Sequence, residues 1–224
     1  MSKVLGPLAI VMLVVAPLSY RLHLLPLQVG LLLVPIASVL GLFAAIVGLT
    51  PKRRSVIGVV AGLVPVVFFV TVLISSNGLP MIHDISTDLA DPPVFVTAPT
   101  MQRDALNSLD FDPKTAPLQQ AAFPDLHAIE TNETPAAALE HAKLTARSLG
   151  WEIYADDATA GRIEAVETTR LFGFKDDVVI RVRARDGGSR IDLRSVSRVG
   201  GGDMGANAKR IRRFMASYSS GQSR

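Results

Sequence analysis

The 224-residue chain contains no cysteine, so disulfides, thiolate nucleophiles and cysteine zinc sites are excluded and thiols say nothing about compartment. Acidic residues are missing from the first third. Between Val4 and Ile74 the only charged residues are Arg21, Lys52, Arg53 and Arg54. The apolar runs on either side of that basic cluster hold no carboxylate, histidine or lysine, which removes the mid-membrane groups of a proton relay or ion pathway and argues against a transporter. Of the four histidines, His127 and His141 have no metal spacing and read as surface residues, and His83 stands alone beside Asp84. No serine sits in a nucleophile elbow. The sequence therefore points to no metal centre and no cofactor, and it leans against catalysis.

What is abundant is apolar helix. A bilayer core of roughly 30 Å needs about 20 apolar residues, and residues 27–49 and 55–74 supply two such runs. Residues 4–20 form a third, shorter run ended by Arg21, for which a cleaved signal peptide is the competing reading. Positive charge in short loops stays on the cytoplasmic side. The Lys52-Arg53-Arg54 turn then places the chain after the third span on the outer side, giving a multi-pass protein with a periplasmic or extracellular domain. Gly58 and Gly62 form a small-xxx-small pair suited to close helix packing within the chain.

Residues 76–124 are rich in Pro and Asp without a sustained period and read as an extended tether. A short helix is expected over residues 100–108, and Asp84, Asp88 and Asp91 read as solvated linker charge because they lack the ligand spacing of a calcium loop. Residues 125–219 read as a soluble α+β domain. Thr134-Pro135 caps a helix running to Gly150, with Leu139, Ala142, Ala146 and Leu149 as its apolar stripe. Runs rich in β-branched residues follow, and a last helix from about Met204 to Tyr218 has Asp203 at its N-cap and Lys209, Arg210 and Arg213 facing outward. With a strand near residues 126–131 the order is β-α-β-β-β-β-α, an antiparallel sheet with both helices on one face.

Charge is unevenly spread through this domain. Residues 77–125 hold seven acids against two bases, and residues 170–224 hold thirteen bases against five acids. Arg181, Arg183, Arg194 and Arg198 fall on the sheet face away from the helices, where they would bind a carboxylate, phosphate or lipid headgroup, or pair across strands with Glu164, Glu167 or Asp192. Ser195 and Ser197 stand beside them. Gly200, Gly202 and Gly205 fit G-x-G-x-x-G, but no parallel strand follows and Asp203 would repel a phosphate, so the run reads as a strand-to-helix turn. Phe172 and Phe174 are expected to complete the core beneath a bulged hairpin. Asp176 and Asp177 offer paired-carboxylate chemistry without an evident partner.

The strings VETTRLFGFKDDVVIRV (166–182) and IDLRSVSRVGGGDMGANAKRI (191–211) resemble the bacterial family called domain of unknown function 1499, and IHDISTDLADPPVF (82–95) is similar to members with N-terminal membrane helices. The resemblance implies matched positions at Phe172, Gly173, Phe174, Asp176, Asp177, Arg181, Arg194, Ser195, Arg198, Asp203, Gly205 and Asn207, and it supplies no activity. Three functions stay open. The first is a non-enzymatic protein of the cell inner membrane, its periplasmic domain binding an anionic ligand, lipid headgroup or envelope protein through the arginine face and the Asp203 loop. The second is a hydrolase or transferase using Asp176 or Asp177. The third is an assembly module of a membrane complex. Nucleic acid is excluded by the outer location.

Overall fold

The computed structural model describes residues 1–221, and the chain divides into two compact units. One comprises residues Met1–Asn77 together with the hairpin tip Thr169–Gly173; the other runs over Gly78–Thr168 and from Phe174 onward.

The first unit is built on α1 (Ser2–Arg21), α2 (Leu27–Leu49) and α3 (Val56–Ser76), all long and apolar enough to cross a membrane by length and composition. Apolar tails outside the protein give no hydrophobic drive to bring such helices together, so close backbone approach must do it. Small residues provide that approach. A Cβ on Gly41 would collide with the Gly62 carbonyl, one on Gly62 with that of Gly41, and one on Gly6 would lie 2.9 Å from Gly58 O. The Gly58/Gly62 pair is thus used within the chain, as its spacing suggests. One polar bond reinforces the seam, from Ser38 Oγ to Pro65 O at 2.9 Å, and Ser55 caps α3 by accepting from Gly58 N.

The second unit is an antiparallel six-stranded sheet with helices on one face. Strands β1 (Asp84–Ser86), β2 (Ile129–Thr131), β3 (Glu152–Asp157), β4 (Arg162–Thr168), β5 (Lys175–Arg185) and β6 (Gly188–Ser197) lie in the order β1-β6-β5-β4-β3, with β2 also on β6. Both β1 and β2 line the same edge of β6, at opposite ends of that strand. After the short α4 (Ala116–Ala122), α5 (Pro135–Ser148) and α6 (Ala206–Gly221) cover one sheet face. Thr134 caps α5 through Ala137 N, with Pro135 in the first turn where its missing N–H costs nothing. Strand alternation sends Val178, Ile180 and Val182 of β5 and Ile191 and Leu193 of β6 toward these helices. There they meet Leu139, Ala142, Ile211, Phe214 and Tyr218, with Trp151 stacked on Phe214 at 5.4 Å.

The order expected from sequence is present, with β1 added. The tether and the helix over 100–108 are not. Residues 78–124 fold with the sheet: Asp84–Ser86 pairs with Ser195 and its neighbours on β6, Gln119 holds Ser86 by both amide atoms at 3.0 and 2.6 Å, and residues 101–112 contain no helix. This strap lacks periodicity because arginines of the sheet hold it, and its own hydrogen-bond ladder contributes little.

Gly41→Val should loosen the helical unit while leaving the sheet intact. An overpacked interface costs about 1–3 kcal/mol, so the detergent-solubilised variant should unfold its helical unit at lower temperature than the wild type, and Val39→Leu, at an exposed position, should not.

Candidate functional site

Because side chains alternate along a strand, the neighbours Asp176 and Asp177 point to opposite faces of the sheet. Each carboxylate enters a separate buried ion-pair network, and the candidate residues divide accordingly.

On the helix side the centre is Arg210 of α6, which is 1% exposed. Its guanidinium donates to Asp176, Glu167 and Asn207 Oδ1, and to Ser195 Oγ at 2.9 Å. Ser195 Oγ donates to Asn207 Oδ1 at 2.7 Å, and Asn207 Nδ2 reaches Ser197 Oγ and His83 O, each at 2.9 Å. Asp203 holds the start of α6: its carboxylate accepts from Gly205 N at 2.7 Å and Asn207 N at 2.8 Å. Burial pushes the Asp176 carboxyl above its ordinary range, and the Arg210 charge opposes that. The expectation that Arg210 faces solvent is wrong. Asn207, Arg210, Ile211, Phe214 and Tyr218 share one helical stripe, so the signal was its i, i+3, i+4, i+7 position.

On the other face Arg194 is the anchor, 2% exposed. It grips Asp84 with two bonds at 2.9 and 2.7 Å, donates to Pro93 O and Leu109 O, and lies between the rings of Phe95 and Phe111 at 5.5 and 5.4 Å. Arg181 and Arg183 each contact Asp88, Asp91 and Asp192, while Arg190 contacts Asp88 and Asp192. Three arginines meet three aspartates and the cluster is neutral. Arg198 clamps Asp177 at 3.0 and 2.7 Å, with Arg103 on the same carboxylate at 3.1 Å. Glu164, wholly buried, accepts three strap N–H groups, from Val96, Thr97 and Ala98 at 2.8, 2.9 and 2.8 Å.

The arginines of this face are thus paired with acids of the strap and the sheet, and Asp84, Asp88 and Asp91 take part in those ion pairs instead of standing as linker charge. Of the cross-strand partners expected for the arginines, Asp192 serves Arg181 and Arg183, while Glu164 holds the strap and Glu167 holds Arg210. Phe172 and Phe174 do not complete the core: both are half-buried and neither lies in the apolar clusters of the sheet. His141 is not a plain surface residue either, since its ring stacks on Tyr218 at 3.9 Å and its Nδ1 lies 3.1 Å from Glu133. Among the described residues no group of three His, Cys, Asp or Glu is placed to hold a metal ion.

These observations define a chain with three membrane-type helices and an α+β unit whose sheet is helix-covered on one face and strapped by ion pairs on the other. The chain belongs to the family described as protein of unknown function (DUF1499), whose model matches residues 84–217. A comparison with curated proteins finds no match.

Removing one partner of a buried ion pair leaves a charge without compensation and costs about 3–5 kcal/mol. Asp84→Ala should lower stability by that order and expose the strap to limited proteolysis, whereas Asp84→Leu with Arg194→Met should recover much of the loss. Equal protease resistance in wild type and Asp84→Ala would refute this role.

Acid should act on the same strap. Burial works against the Asp88 carboxylate, but the N–H groups of Asp91 and Ala90 and the charges of Arg190 and Arg181 hold its pKa below the usual value. Its stabilising contribution is thus complete above the unfolded pKa of about 3.9 and lost as pH falls through the depressed folded value. Thermal unfolding followed from pH 5 down to about 2 should show a falling midpoint with a shallower slope in Asp88→Asn.

Proposed function

We propose that this protein is a non-catalytic module of the bacterial inner membrane, with its α+β unit on the periplasmic side and an envelope protein as its partner. The observation that carries the reading is how the charged residues are used. Asp176 and Asp177, the carboxylates best suited to acid-base work, are engaged by Arg210 and by Arg198 with Arg103. A catalytic carboxylate must instead reach a substrate proton. The arginine face likewise neutralises the strap, so an anionic ligand has no claim on it.

Recognition then falls to the outer side of the strap, where Val94, Val96, Met101 and Leu106 stand exposed within a short stretch. Exposed apolar side chains grouped on one segment suit a protein contact better than solvent. The orientation rests on Lys52, Arg53 and Arg54, all exposed in the turn between α2 and α3, since such charge is retained in the cytoplasm.

Because the chain has no cysteine, an introduced thiol is a unique reporter. In cells with a permeabilised outer membrane, an impermeant maleimide should label Thr159→Cys, in the β3–β4 turn, and spare Thr50→Cys; the opposite pattern overturns the orientation. Photo-crosslinking residues at positions 94 and 106 should trap one discrete envelope protein, and failure to trap any overturns the partner reading.

A further inference from the structure

The helical unit contains a cavity of about 520 Å³ at one end of the bundle. Val14 and Leu18 of α1, Val34 of α2 and Phe68 of α3 form its walls. Since α1 and α3 finish at this end and α2 begins there, it is the end from which the chain passes on to residue 78. Leu171 and Phe172 of the hairpin tip Thr169–Gly173 complete the apolar lining. The tip lies close to α1, for a Cβ placed on Gly173 would stand 3.3 Å from Arg21 Cγ.

Two guanidinium groups stand at this cavity, from Arg21 and Arg170, both exposed. Arg21 Nη1 donates to Arg170 O at 2.7 Å, which fixes one group beside the other residue. Among the described residues neither arginine has a carboxylate partner. That contrasts with the soluble unit, where the arginines of β5 and β6 are matched by acids. A second groove on α2, of about 550 Å³ and lined by Leu32, Pro35, Ile36, Val39, Leu40 and Phe43, has no charged residue and suits any hydrocarbon tail. The first cavity joins an apolar slot to two uncompensated positive charges at the last residue of a spanning helix.

We propose that this cavity binds an anionic phospholipid of the leaflet at the end where α1 and α3 finish, with an acyl chain between α1, α2 and α3 and the phosphate held by Arg21 and Arg170. The volume lies within the range of roughly 300–1,000 Å³ usual for small-molecule sites. Arginine presents a rigid fork of donors matched to phosphate oxygens, and basic residues next to a spanning helix select anionic headgroups. The zwitterionic alternative would bring its own cation against two guanidinium groups. The site concerns the helical unit and stands whether or not the strap binds a partner.

The test uses the full-length protein in detergent, offered dioleoyl phosphatidylglycerol or dioleoyl phosphatidylcholine, with bound lipid counted by native mass spectrometry. Wild type should retain phosphatidylglycerol preferentially. The Arg21→Gln/Arg170→Gln protein, changed only at exposed side chains, should keep its unfolding temperature and bind that lipid roughly 25-fold more weakly, a factor of about five per arginine. Val14→Trp should fill the slot and abolish binding, and Val39→Trp, in the uncharged groove, should leave it unchanged. Equal retention of the two lipids by the wild type, or undiminished phosphatidylglycerol on the double variant, overturns the proposal. So does equally tight binding of glycerol 3-phosphate, which has no acyl chain.

Discussion

Arg194 leaves β6 on the face away from the helices, and a guanidinium that is 2% exposed must find its counter-charge and acceptors inside the protein. Asp84 supplies the charge, two carbonyls of the strap accept further protons, and Phe95 and Phe111 offer their ring faces. All of these partners lie between residues 84 and 111. One side chain thus ties the start, middle and end of a segment that has little regular structure of its own. Arginine suits the position because its planar fork serves several acceptors while the ring faces stack on it.

The same logic explains why the sheet carries ionic groups on both faces. Helices α5 and α6 supply apolar cover to one face, but α6 also carries Arg210 onto Asp176 and Glu167. The strap brings a small apolar cluster, Phe95 and Ala98 against Val179 and Val196, and must otherwise be held by polar contacts. Glu164 gives the clearest case: a carboxylate on β4 organises three consecutive N–H groups of the strap that no strand partner would satisfy. Charge-assisted bonds of this kind are stronger than neutral ones, and they specify where a segment without a hydrophobic period must sit.

Local patterns made much of this readable from sequence. Hydropathy and length revealed α2 and α3, Thr134-Pro135 marked the start of α5, and runs of β-branched residues marked the strands that follow it. The strap escaped because its partners are remote: Asp84 meets Arg194 across 110 positions and Arg103 meets Asp177 across 74, and no local spacing rule reaches that far. The acid excess in residues 77–125 and the base excess in residues 170–224 were the visible trace of this pairing, since Asp84, Asp88 and Asp91 lie in the first stretch and Arg181, Arg183, Arg190 and Arg194 in the second. Asp176 and Asp177 misled for a related reason, since adjacent residues on a strand cannot share a site on one face.

The family match begins at Asp84 and ends within α6, so the strap from Asp84 onward lies inside the matched span and the three helices lie outside it. Physical reasoning gives the same boundary independently. A sheet without residues 84–111 would leave Arg194, Asp192, Glu164 and Asp177 facing water on a surface shaped for burial, with Val179 and Val196 uncovered beside them. The strap therefore belongs to the fold in the same sense as α5 and α6, one cover apolar and the other ionic. What the helical unit adds is three apolar helices of membrane-spanning length, and at the end where α1 finishes two arginines that the acids of the α+β unit do not pair.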